Sequence, residues 1–146
     1  MSNPIESLEA FPLNIPLLRP FTIATGRVDA VTNVAVRVRL RGGEIGWGEA
    51  AVLPPVTRHS QAELLAALGA GSSPLIGLDG LSWEDGCRAA AQLFSQVPTA
   101  RTAVQMALVD AAAAAQGCPL WRLFGPKLHP VETDITIPIC APAEAA

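Results

Sequence analysis

From Val34 the chain alternates with a period of two: Val34, Val36, Val38 and Leu40 fall on one side, and Ala35, Arg37 and Arg39 on the other. That is the pattern of a strand with one buried face. Arg41-Gly42-Gly43-Glu44 follows as a turn in which glycine takes positive φ without steric cost. The return segment Ile45 to Ala50 puts Ile45 and Trp47 on one side and Gly46 and Gly48 on the other. The spacing therefore predicts a β-hairpin with one glycine-floored face. Glycine inside a strand marks the close approach of another backbone or a ligand, so the bare side of Gly46 and Gly48 is expected to be covered.

The remaining periodicity places the other elements. Ile5 to Ile15 reads as a further strand with Leu13, Ile15 and Leu17 on one parity, and Pro12 and Pro16 confine it to an edge. Leu18 to Arg27 reads as the loop joining it to the hairpin, giving three antiparallel strands. Ser60-Gln61-Ala62-Glu63 is a capping box that opens a helix running to about Leu68. Gly69 to Gly80 is a connector. Ser82 is expected to cap a second helix, with Glu84 and Asp85 in its first turn, ending near Gln96.

Thr99 is expected to cap a third helix, Ala100 to about Gln116, closed by Gly117 with Pro119 beyond. Ala103, Ala107, Ala111 and Ala115 make an i, i+4 ridge on it, small enough for very close packing. Asp110 interrupts the apolar run and is expected in a structural ion pair. Pro119 to Gly125 reads as a short helix with proline at its first position. Thr133 to Ile139 reads as a new strand, and Ala141 to Ala146 as the first turn of a helix. A lone strand cannot bury both faces, so this β-to-α step implies a partner sheet outside these residues.

Composition sharpens this reading. At 146 residues the chain suits one domain. Charged residues are only 16%, hydrophobic residues 50% and the mean hydropathy +0.35, which is greasy for so small a domain. No run approaches the ~18 apolar residues of a membrane span, and no signal-like segment leads the chain. The excess apolar surface is therefore expected to be covered by more protein. A formal net charge of −3 and scattered arginines leave no footprint for nucleic acid. Cys87, Cys118 and Cys140 lack metal-ligand or disulfide spacing and read as reduced, small hydrophobic residues, consistent with a cytoplasmic protein.

The side chains assemble no reaction centre by themselves. There is no Gly-x-Ser-x-Gly elbow, no phosphate-binding Gly-Lys loop and no His-x-x-x-His pair. Gly42-Gly43-Glu44-Ile45-Gly46 lies between two antiparallel strands rather than before a helix, which excludes a dinucleotide loop. His59 and His129 are far apart and read as surface or capping residues. Glu49 is open to two roles: a base, or a carboxylate that ties down a loop by accepting backbone N–H groups.

The order of motifs is distinctive. Pro20-Phe21-Thr22-Ile23-Ala24, then Gly46-Trp47-Gly48-Glu49-Ala50, Ala107-Leu108-Val109-Asp110-Ala111, and Gly117-Cys118-Pro119-Leu120-Trp121 with Leu123-Phe124-Gly125 resembles the amino-terminal capping domain of the enolase superfamily, in its muconate-lactonizing branch. Glu132 to Ile139, followed by Pro142-Ala143-Glu144-Ala145, is similar to the dipeptide epimerases, which include the L-Ala-D/L-Glu epimerases.

This resemblance implies an α+β fold: an enolase-like capping domain of three antiparallel strands and a helical bundle over residues 1–130, then the first strand of a truncated (β/α) barrel over 131–146. In that family the barrel holds Mg²⁺ through three acidic ligands, and two lysines remove and return the proton beside a substrate carboxylate. Lys127 is the only lysine here and does not match the family's Lys-x-Lys strand, which falls beyond Ala146. The resemblance thus implies no catalytic or metal-binding residue in this chain and makes the absent barrel its partner. The expected substrate contacts are those of a specificity cap for a small dipeptide: Thr22, Thr25 and Arg27 in one loop, Thr57 in a second, and Thr136 on the barrel strand. Arginine suits such a role because its planar fork matches a carboxylate. The alternatives are a free-standing, non-catalytic interaction module, in which a homo-oligomer would cover the apolar surface, or the cap of a muconate cycloisomerase or o-succinylbenzoate synthase.

Overall fold

A computed structural model describes residues 2–24, 26–134 and 139–140. Strands β1 (Ile5–Ile23), β2 (Gly26–Leu40) and β3 (Ile45–Ala50) form one antiparallel sheet in the order β1-β2-β3. Helices α1 (Gln61–Gly71), α2 (Trp83–Leu93) and α3 (Pro98–Ala115) cover one face, with short 3₁₀ turns at Ser73–Leu75 and Leu120–Leu123. The α+β capping-domain fold expected from the sequence is the fold observed. No described helix is long and apolar enough to cross a membrane.

The alternating run builds the core as its period requires. Val34, Val36, Val38 and Leu40 are fully buried and pack with Leu64, Leu68, Leu75, Phe94, Val104 and Leu108. Gly46 and Gly48 lie opposite Val38 and Val36 on β3, on the same inner face. Helix α3 rests directly on them: a Cβ at Gly46 would strike the Ala107 carbonyl and the Ala111 amide, and one at Gly48 the Ala103 carbonyl. Ala103, Ala107 and Ala111 are themselves fully buried. The glycine floor and the alanine ridge are two halves of one contact.

Several boundaries differ from expectation. The segment Leu18 to Arg27 is no loop: Phe21, Thr22 and Ile23 pair with Val28, Arg27 and Gly26, so β1 and β2 form one long arm after an irregularity between Pro16 and Phe21. Gly26, at φ +148°, takes the backbone through the turn at its tip. Pro12 and Pro16 are accommodated because β1 is an edge strand. Helix α1 carries the expected capping box, the Ser60 side chain accepting from the Glu63 amide and the Glu63 carboxylate from the Ser60 amide. Ser82 and Thr99 make no such cap. Pro98, whose fixed φ suits a first helical position, takes that place in α3 and moves Thr99 inside the first turn. Gly117, at φ +61°, ends α3, with its N–H donating to the Ala114 carbonyl (3.0 Å) and that of Cys118 to the Ala113 carbonyl (3.1 Å). Pro119 stands just before the following 3₁₀ turn rather than opening an α-helix.

Asp110 is not in the expected ion pair. Its carboxylate accepts the Trp47 backbone N–H at 2.8 Å, supplying a partner that edge strand β3 lacks on its outer side. At the other end of the sheet, Asn3 binds the connector and the hairpin turn together. Its N–H donates to Asp79 (2.9 Å), its side-chain amide to Glu44 (2.8 Å), and its side-chain oxygen accepts from Gly42 (2.8 Å).

Residues 126–134 lie exposed along the surface and add nothing to the core. The strand expected over Thr133 to Ile139 falls largely on residues 135–138, outside the described residues, as does the helical turn over 141–146. Thr133 and Asp134 make no strand pairing, whereas the Ile139 N–H donates to the Thr22 carbonyl at 2.8 Å.

Two predictions follow from this packing. Gly48→Ala is expected to destabilise the chain by about 1–3 kcal/mol or more, because it drives a methyl group into the α3 backbone. Gly69→Ala, inside α1 with nothing within 4 Å of the added carbon, is expected to stabilise it by about 0.5–1 kcal/mol; urea unfolding reads both. Hydrogen bonds from Asn3 hold the carboxyls of Glu44 and Asp79 below their ordinary values of 4.5 and 3.8, and those from Ser60 do the same for Glu63. A depressed carboxyl contributes stability that is present above its ordinary value and lost as pH falls through the folded one. The thermal midpoint should therefore drop on acidification below pH 4.5, and Asp79→Asn should flatten that drop.

Candidate functional site

Beyond Ala50, which pairs with Val34, the chain leaves the sheet while β2 continues backward to Gly26. The divergence opens a cleft of about 520 Å³ between the β2 arm, Arg27 to Asn33, and the segment Ala51 to Pro54. Its walls are largely aliphatic, with Val28, Val31, Val52 and Leu53 among them, and the charged pair Arg27 and Asp29 stands on the arm.

The expected site residues distribute unevenly around this cleft. Arg27 lines it, exposed, with its Nε 2.9 Å from Asp29 Oδ1. The hydrogen bond and then the charge of Asp29 push the guanidinium pKa further up. Any carboxylate ligand would therefore share Arg27 with Asp29. Thr22 sits opposite Arg27 across the β1–β2 ladder. Thr57 does not line the cleft. Its Oγ1 accepts the Leu53 N–H at 2.6 Å, and its own N–H donates to the Leu53 carbonyl at 2.9 Å, which closes the 53–57 segment on itself. Thr25 and Thr136 lie outside the described residues.

Asn33 and Glu49 meet at the inner end of the cleft, where the Asn33 side-chain amide donates to the Glu49 carboxylate. Of the two roles open to Glu49, this contact is a tie, made through a side chain rather than through backbone N–H groups. Sequence reasoning passed over Asn33 altogether. The available signal was a polar residue standing immediately before the apolar alternation that opens at Val34.

No three His, Cys, Asp or Glu side chains among the described residues come close enough to hold a metal ion. The described side chains thus do not by themselves fit a Mg²⁺ centre. The three cysteines are free; burial, and secondarily Glu84, push the Cys87 thiol pKa up and away from reactivity. A separate apolar hollow of about 450 Å³ lies beside β3, lined by Trp47, Met106, Val109, Leu120 and Phe124. Phe124 is 69% exposed and Trp47 50%, so hydrophobic surface is left open on this side.

Comparison with known proteins agrees with the fold and with the motif order. Residues 8–125 match the family described as mandelate racemase / muconate lactonizing enzyme, N-terminal domain. An L-Ala-D/L-amino acid epimerase from Populus trichocarpa is 40% identical, over 97% of this chain but only 34% of its own length. A muconate cycloisomerase from Acinetobacter lwoffii is 31% identical over 86% of this chain and 33% of its own length. The crystal structure of a dipeptide epimerase from Enterococcus faecalis, complexed with Mg and the dipeptide L-Leu-L-Tyr, superposes with a TM-score of 0.85 at 26% identity, covering 99% of this chain and 40% of that one. The chain thus spans about a third of the length of the curated relatives it matches.

Thr57→Val removes the acceptor of the Leu53 N–H and is expected to cost about 1 kcal/mol. Limited proteolysis should then cut within residues 53–57 sooner than in the parent chain.

Proposed function

The chain belongs to the mandelate racemase / muconate lactonizing enzyme family, whose amino-terminal domain it carries, and from that membership we propose that it is the substrate-specificity cap of a Mg²⁺-dependent, dipeptide epimerase-like isomerase. The observation that carries this reading is the cleft between the β2 arm and residues 51–54, on the fold of the family's amino-terminal domain. On this reading residues 1–130 are the cap and 131–146 the beginning of a barrel. A barrel joined to this cap would hold the proton-moving lysines and the metal, and the chemistry the metal would supply is charge stabilisation beside a substrate carboxylate. A cytoplasmic location accords with three free cysteines.

The cap's own contribution is to bind and orient. Arg27 presents a guanidinium to a dipeptide carboxylate, which competes with Asp29 for it. Thr22 stands opposite Arg27 on the same arm, and Thr57 acts indirectly by holding the opposite wall closed on itself; Thr25 and Thr136, the other expected contacts, lie outside the described residues. The aliphatic side chains on the two walls, Val28, Val31, Val52 and Leu53, offer apolar contact to whatever lies between them. A second reading, the cap of a muconate cycloisomerase, draws support from the relative at 31% identity. A third, a free-standing interaction module, draws it from the open hollow around Trp47 and Phe124.

The test is α-proton exchange on L-Ala-L-Glu in heavy water. The 146-residue chain alone is expected to catalyse none, whereas the same residues joined to a dipeptide epimerase barrel are expected to catalyse it, with Arg27→Met raising KM. Exchange by the pure chain would overturn the proposal. Turnover of muconate but not of dipeptides by the joined protein would favour the second reading. A monodisperse, well-folded assembly of the chain alone in light scattering would favour the third.

A further inference from the structure

The two walls of the cleft meet at one side chain. The β2–β3 ladder ends at the pair Val34 and Ala50, and the next β2 residue along the arm is Asn33, buried to 9% exposure. Its side-chain oxygen accepts the Val52 N–H at 2.8 Å, and its side-chain amide donates to Glu49. Its backbone carbonyl accepts from the Gln61 side chain at 2.7 Å, and Gln61 also donates to Asn14 at 2.8 Å. One residue therefore joins β2 to the end of β3, to the departing wall and, through the first residue of α1, to β1.

A backbone ladder continued past Ala50 would hold the two segments about 4.8 Å apart and leave no cleft. Asn33 instead offers its side chain where the next backbone pair would stand. The Val52 N–H finds a partner in the Asn33 side chain, so the wall splays from the arm without leaving this half-buried donor unpaired. We propose that Asn33 is a positioning residue that sets the opening of the cleft by replacing the missing ladder pair. Its importance for substrate rests on the reading of this cleft as the cap's binding site; its effect on the wall does not.

The test uses the chain itself and needs no substrate: amide hydrogen exchange at Val52, compared with Val36 and Val38 in the sheet. Asn33→Ala is expected to speed Val52 exchange about ten-fold or more beyond any change at Val36 and Val38. Asn33→Asp should do the same at neutral pH, because a second carboxylate then faces Glu49. Glu49→Gln alone keeps an acceptor for Asn33 and should change Val52 little. The double variant Asn33→Asp/Glu49→Gln restores the contact with donor and acceptor exchanged, and should return Val52 to within about three-fold of the parent. If Val52 moves only in step with Val36 and Val38, Asn33 is ordinary structural glue and the proposal falls. It falls equally if the double variant stays as fast as Asn33→Asp. Should Asn33→Ala fail to fold, the exchanged pair decides alone. Joined to a barrel, Asn33→Asp should raise the dipeptide KM more than it lowers kcat. Absence of dipeptide turnover would sink the epimerase reading and leave the Val52 result standing.

Discussion

The rest of the structure depends on the contact between the bare face of β3 and the alanine ridge of α3. Gly46 and Gly48 have no side chains, and Ala103, Ala107 and Ala111 add only methyl groups, so helix backbone and strand backbone come into direct contact. That closeness fixes the path of α3 across the sheet. It also brings Asp110 beside the open edge of β3, where its carboxylate takes the Trp47 N–H. An edge strand otherwise invites pairing with another chain, and here part of that edge is satisfied from within. The larger core residues, Leu64, Leu68, Leu75, Phe94 and Leu108, fill the space on either side.

A rigid block and a projecting arm follow from the same arrangement. The buried residues of β2 are Asn33 and then Val34, Val36, Val38 and Leu40, whereas residues 26–32 are half-buried or exposed. Past the last β3 pair, the departing chain at 51–54 faces the β1–β2 arm and forms the other wall of the cleft. A two-stranded ribbon has little stability of its own, so its direction must be set at its root, where Asn33 sits with its bonds to Val52, Glu49 and Gln61.

Charge has a lesser part in the fold. The Arg27–Asp29 pair is exposed, and such pairs add little to stability. Arg37 holds Glu9 across the ladder and lies over the rings of Phe11 (5.2 Å) and Trp47 (5.8 Å), covering part of the outer sheet face. Hydrophobic surface still remains open around Trp47, Met106 and Phe124, in a chain that spans about a third of its relatives' length.

What was legible in the sequence was periodic or local. The two-residue alternation from Val34, the capping box at Ser60 and the left-handed glycine after α3 each act within a few residues, so they appear where they were read. Gly46 and Gly48 announced a close neighbour, and the order of motifs announced the family. The tertiary structure alone decided who that neighbour was, what Asp110 bonds, and that residues 21–23 pair with 26–28 as an arm. It also decided that Asn33 ends the ladder and that Arg27 meets Asp29 at the cleft. These depend on register and on groups brought together from distant parts of the chain: a hydrogen bond between residues 63 positions apart, such as that from Trp47 to Asp110, leaves no periodic trace in the residues that make it.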